Sequence, residues 1–271
     1  MLVINTNISA ENAVRLLSKS QAQMNTSMER LTSGLRINKT ADDAAGKAVA
    51  TQMTTQIRGT SQAIRNANDG IALVQTIDGA AEETVNMLQR IRELAVQSTN
   101  GTYSSAQRSQ MNGEVSQLKL EINRIASTTK FNGVSLMAST KTISLWVGWE
   151  TNSGNAIKIS VSGMDASTLG VSGNILTQAA ALSTMSQVTK ALSVITKVRS
   201  RFGAVQNRLD YTVSNLQNVN ENIMAARSQV QDADFAAESA NLARTQILQQ
   251  AGMSMLSQAN QSQQNVLSLL K

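Results

Sequence analysis

Side chains that could exchange a proton, bind a metal or attack a substrate are scarce. The 271-residue chain has no His and no Cys. Disulfides, thiolate chemistry and imidazole or thiolate metal sites are therefore excluded, and the commonest general base is missing. Carboxylates remain, but no paired set of them carries the signature of a catalytic pocket. Asp42-Asp43 and Asp232/Asp234 stand at helix starts, where acids suit the positive end of the helix dipole. Trp146 and Trp149 could mark a ligand pocket, although in so small a hairpin packing on neighbouring helices is the plainer use. The reading is a non-enzyme with no cofactor and no metal.

The elements that would position these residues are long helices. Proline is absent and aromatics make up 3% of the chain, so the main helix breaker is gone and the core must be thin and aliphatic. The net charge of +6 raises nucleic acid as a partner. Its Lys and Arg are scattered, with no basic run and no stacking aromatics among them, so a basic outer surface is preferred and nucleic acid is not expected. No stretch suits insertion into a membrane. MLVINTNISAEN has no positive n-region and no cleavage pattern, so a cleaved secretory signal is not expected.

Apolar residues repeat along the chain at 4, 3 spacing. A first seam runs through Ala10, Val14, Leu17, Gln21, Met24, Met28, Leu31 and Leu35, with Gly34 as its stop. A long helix from about Ala44 to about Ser98 carries two stripes, one through Val74, Ala81 and Leu88, the other through Ile77, Ile91 and Leu94. It should therefore be covered on more than one side. After Asn100-Gly101 a shorter helix runs from about Ser104 to about Ser127. The period then changes. Ile143, Leu145 and Val147 alternate, as do Ile157, Ile159 and Val161, around a turn at Asn152–Asn155, which predicts a β-hairpin. From about Leu176 a third long pattern runs to Ile223, apolar except at Arg199, Gln206 and Asn220. The last helix starts near Asp232 and Asp234 and ends in Thr245–Leu270, which holds no charged residue.

The fold class is mainly α: a long-helix bundle with a small β-hairpin region at about 138–173, plus a terminal coiled-coil-like helix pair. The expected division is 1–43 with 230–271 for the pair, and 44–229 for the bundle. An isolated pair buries too little apolar surface to offset its ordering entropy, so it should order against other copies. Val14, Leu17, Met24, Met28, Leu31 and Leu35 on one helix are the subunit-packing residues. On the other they are Leu248, Met255, Ala259, Val266 and Leu270.

Several long motifs resemble bacterial flagellins. They are MERLTSGLRINKTADDAAG (Met28 to Gly46), NANDGIALVQTIDGA (Asn66 to Ala80), LQRIRELAVQSTNG (Leu88 to Gly101) and FNGVSLM (Phe131 to Met137). Towards the C-terminus come RSRFGAVQNRLDYTVSNLQNVNENI (Arg199 to Ile223), QDADFAAESANL (Gln231 to Leu242) and NVLSLLK (Asn265 to Lys271). The middle, roughly Ala138 to Gly173, is shorter than in most of that family, and Lys47 and Ser262-Gln263 depart from its common pattern. The resemblance implies a structural subunit that polymerises into the flagellar filament used for swimming, with the terminal pair as inner tube and the bundle as outer shell. It implies an extracellular location on the bacterial flagellum, reached through type III export without a cleaved signal. The implied partners are other copies of the chain, an export chaperone, and the cap and junction proteins. The hook–filament junction protein is the alternative reading. By the same resemblance Arg90, Leu94 and Glu114 match positions through which Toll-like receptor 5 senses flagellins.

Overall fold

The computed structural model describes residues 7–268, with side chains described for 7–261 apart from Ser153. Its elements follow one another as α1 (Ile8–Ser33), α2 (Ala44–Thr99), α3 (Ser105–Thr128), β1 (Lys130–Phe131), β2 (Val134–Ser135), β3 (Lys141–Trp146), β4 (Ala156–Val161), α4 (Gln178–Gln231) and α5 (Phe235–Ser268). The helix ends are set by local chemistry. The Asn7 side chain accepts from the Ala10 N–H to cap α1, and Gly34, at φ 71°, closes it. Asp43 Oδ1 accepts from the Gly46 N–H at the start of α2. Ser104 and Gln107 form a reciprocal capping box on α3. Asp234 Oδ1 accepts from the Ala236 and Ala237 N–H groups at the start of α5.

Two compact units result, one of residues 56–221 and one of 1–55 with 222–271. They part inside α2 and α4 rather than at the expected 43/44 and 229/230. In the unit of residues 56–221, both stripes of α2 are covered. Ala67, Val74, Ala81 and Leu88 are buried, and so are Leu73, Ile77, Ile91 and Leu94. Ala67 packs with Val147, Ile157 and Leu209, and the others join Val115, Ile122 and Ala126 of α3 and Val188, Ile195, Val198 and Phe202 of α4. Burying one such Leu or Ile is worth about 1.5–3 kcal/mol, so this core supplies the unit's main stabilisation. Arg199, the charged interruption in the α4 stripe, is bound by Asp78 of α2 at 2.7 Å and 3.2 Å.

β3 and β4 pair antiparallel in the expected hairpin, with Ile143 opposite Ile159 and Leu145 opposite Ile157. Packing on neighbouring helices was the plainer use expected of the tryptophans, Trp146 and Trp149. Both are about two-fifths exposed. Trp149 lies beyond β3 with its Cβ against Gly59 of α2, where an added Cβ would come within 2.6 Å. The Trp146 carbonyl accepts from Asn66 Nδ2 at 2.8 Å.

Two features were not anticipated. β1 and β2 form a miniature hairpin around Asn132 and Gly133, both at positive φ (47° and 78°) as a tight primed turn requires. After β4 the chain runs without regular structure to α4, yet Met164, Ala166, Leu169, Val171 and Ile175 are buried. This strap has its main chain held by side chains of three helices. Asn123 and Asn112 of α3 accept from the Ala166 and Ile175 N–H groups, and Gln187 of α4 accepts from that of Gly173. Ser98 of α2 donates to the Ile175 carbonyl, and Lys119 of α3 donates to that of Gly173.

Candidate assembly surface

In the other unit α1 pairs with α5. The inward line of α1 runs Ala10, Ala13, Leu17, Ser20, Met24, Ser27, Leu31, and that of α5 runs Glu238, Leu242, Thr245, Gln249, Gly252, Leu256, Ala259. Both are heptad lines, but their registers are not those of the largest apolar residues. Ser20 and Ser27 are 7% and 6% exposed, whereas Val14 and Met28, expected in the seam, are 50% exposed. Small residues let the backbones approach, and hydrogen bonds replace bulk. Ser20 Oγ donates to the Thr245 carbonyl at 3.2 Å, and Asn7 Nδ2 donates to that of Ala259 at 3.2 Å.

Ser27 Oγ donates to Glu238 Oε2 and Arg30 Nη1 to Glu238 Oε1, both at 2.8 Å. Arg30, seconded by Ser27, holds the Glu238 carboxyl below the usual carboxylate range against the opposing pull of burial. At the end of the pair, Arg36 donates its N–H to the Gln231 carbonyl at 2.7 Å, and Leu35 bridges Asp232.

Of the expected packing residues, Leu17, Met24, Leu31, Leu35 and Ala259 are half-buried at or beside this seam. Val14, Met28, Leu248 and Met255 are at least half exposed, Leu248 and Met255 lining a groove beside the seam with Leu16 and Leu17. Val266 belongs to α5, but its side chain lies outside the described residues, as does Leu270 altogether. The outward faces carry further large apolar residues that the sequence reading did not single out: Ile8 and Leu16 on α1, Ile247 and Met253 on α5. Their signal was present as a second apolar line beside the first, which a single seam leaves out.

The three positions expected to meet a receptor divide. Arg90 is half exposed, and its guanidinium binds Glu114 at 2.8 Å and Glu93 at 3.1 Å. These two carboxylates, Glu114 first, raise the Arg90 pKa. Leu94 is 3% exposed and belongs to the bundle core, beside the exposed Arg90–Glu114 pair. Among the described residues no helix is long and apolar enough to cross a membrane.

Known proteins agree with this architecture. Residues 4–142 match the family described as "Bacterial flagellin N-terminal helical region", and residues 185–270 match "Bacterial flagellin C-terminal helical region". The chain belongs to the bacterial flagellins. It is 43% identical to a flagellin of Halalkalibacterium halodurans over 274 aligned residues that cover 100% of both chains. It is 41% identical to the flagellar filament 33 kDa core protein of Treponema phagedenis, again covering 100% of both. A solved structure described as a flagellar hook-associated protein from Vibrio parahaemolyticus is 12% identical. It covers 70% of this chain and 100% of that one at a TM-score of 0.59, which speaks for the fold alone. This flagellin is a short form, and the strap and the β3–β4 hairpin account for much of the segment between the two matched regions. As a member of this family it is a structural subunit of the flagellar filament, an extracellular assembly.

Proposed function

We propose that this flagellin polymerises through α1 and α5, the terminal unit forming the inner tube of the filament and the unit of 56–221 its outer shell. One observation carries the reading: the helix pair leaves large apolar residues exposed on both helices, while serines, Ser20 and Ser27, take buried positions in its seam beside Leu17, Met24 and Leu31. A helix pair with that arrangement keeps its best burial for a partner. The absence of charge from Thr245 to Leu270 fits, because a charge repeated at every copy around a narrow tube would face its own image at close range. The packing set is then Val14, Met28, Leu248 and Met255 outward, with Leu17, Met24, Leu31, Leu35 and Ala259 supporting the pair. The role is structural, without catalysis. Export runs through the type III channel without a cleaved signal, with a chaperone before assembly and the cap and junction proteins at the filament ends. Deleting 245–271 should leave the 56–221 bundle helical by circular dichroism while abolishing seeded filament growth. Filaments grown from that truncation would overturn the proposal.

The exposed Arg90–Glu114 pair supports a second role, recognition of the free monomer by Toll-like receptor 5.

A further inference from the structure

Beside the α1–α5 seam lies an open groove of about 400 Å³ whose lining includes Lys19 and Arg30 from α1 and Glu238, Asn241 and Arg244 from α5. Three cations face one carboxylate, and that carboxylate is already engaged by Arg30 and Ser27. Arg30 Nε is buried without a hydrogen-bond partner. Neither Lys19 nor Arg244 holds a described ion pair. Lys19 and Arg244 thus bring to the groove positive charge that Glu238, already bound, does not neutralise, and the groove suits an added carboxylate.

The other carboxylates of the terminal unit are mostly occupied. Glu29 binds Lys39, Asp42 accepts from the Asn38 and Lys39 N–H groups, Asp43 accepts from Gly46, and Asp234 caps α5. Among the described residues Glu11 and Asp232 have no such partner. Glu11 stands on α1 between Ile8 and Val14, three residues from each and therefore on their face. Arg15, its natural i,i+4 partner, instead donates to Asn12 at 3.1 Å. When that apolar face is covered by another copy, Glu11 is desolvated unless a cation meets it. Its own groove cannot serve: Lys19 lies about 12 Å and Arg30 about 28 Å farther along the same helix.

We infer that in the polymer Glu11 of one copy enters the Lys19/Arg30/Arg244 groove of a second copy, fixing the stagger between neighbouring terminal helices. The inference rests on the proposed role of α1 and α5 in subunit contact. It adds a head-to-tail pairing, because the two halves of the contact lie at different places on the same chain.

The test is seeded elongation of the full-length protein. Glu11→Lys alone, and Lys19→Glu with Arg244→Glu, should each slow elongation at least about tenfold, since like charges then meet at close range. Their combination in one chain should restore growth to within about threefold of wild type. An equimolar mixture of the two slow proteins should elongate where neither does alone. Glu11→Gln, which keeps shape and helix, should slow growth and flatten its dependence on salt. Charge-reversed proteins growing at the wild-type rate, or a combined variant as slow as its parents, would overturn the pairing. Wild-type growth in the same run keeps that result separate from the question of assembly through α1 and α5.

Discussion

Ser20 and Ser27 occupy positions where a helix pair usually places leucine, and that choice decides which residues face out. With hydroxyls inward, Val14 and Met28 are displaced to the outer face, which is why the expected seam was offset at alternate positions. Apolar periodicity alone could not show this, because a small polar residue becomes an inward one only when its partner supplies an acceptor. Thr245 and Glu238 supply those acceptors from more than two hundred residues away. Glu238 also gives the pair a pH dependence. Its carboxyl titrates below its unfolded value, so its contribution is complete above the ordinary carboxylate range and is lost as pH falls through the folded-state value. Acidification through that window should loosen the α1–α5 pair, seen as faster limited proteolysis of the terminal segments. Glu238→Gln should weaken the pair by about 1–3 kcal/mol at neutral pH and remove most of that acid sensitivity.

The helices were legible, the ends of α2 and α3 to about a residue, because their signals are local, although α4 runs on to Gln231 past the Ile223 where its stripe was read. Two uninterrupted stripes predicted α2 from Ala44 to Ser98 against an observed Ala44–Thr99, and Asp234 marked α5 by its capping chemistry. The strap between β4 and α4 was not legible. Its buried residues follow neither a period of two nor one of 3.6, and its hydrogen bonds come from side chains on other elements. Asn112 and Asn123 of α3 act as surrogate strand partners for a main chain that has no ladder of its own. Replacing Asn112 by Ala would leave the Ile175 N–H without its acceptor beside a fully buried side chain. The expected cost is about 1–3 kcal/mol, measurable as a lowered melting temperature of the bundle. An equivalent change at exposed Asn207 on α4 should be neutral within about 0.5 kcal/mol.

For the whole molecule, the two units do different work with the same building material. The 56–221 unit closes a core around Ile77, Ile91, Ile195 and Phe202. The terminal unit leaves apolar residues on its outer faces, which further copies would cover in the proposed assembly. Free and assembled protein should therefore differ as signals. Purified monomer is expected to activate a Toll-like receptor 5 reporter cell line, and Arg90→Ala or Glu114→Ala to weaken that response without changing helicity. A silent monomer would remove the receptor role and leave the structural one untouched.

The contrast between the fastened strap and the open end of the β3–β4 hairpin divides the molecule's middle into two tolerances. Thr151 and Asn152 are exposed, and the turn there is closed by its own Asn152 and Asn155 side chains rather than by the helices. A foreign peptide grafted after Thr151 should be carried without change in melting temperature and displayed at every subunit of a grown filament. The same graft after Gly173 should prise the strap from Gln187 and Lys119 and collapse expression. This short flagellin thus carries a built-in display position, and the strap marks the boundary beyond which cargo cannot be added.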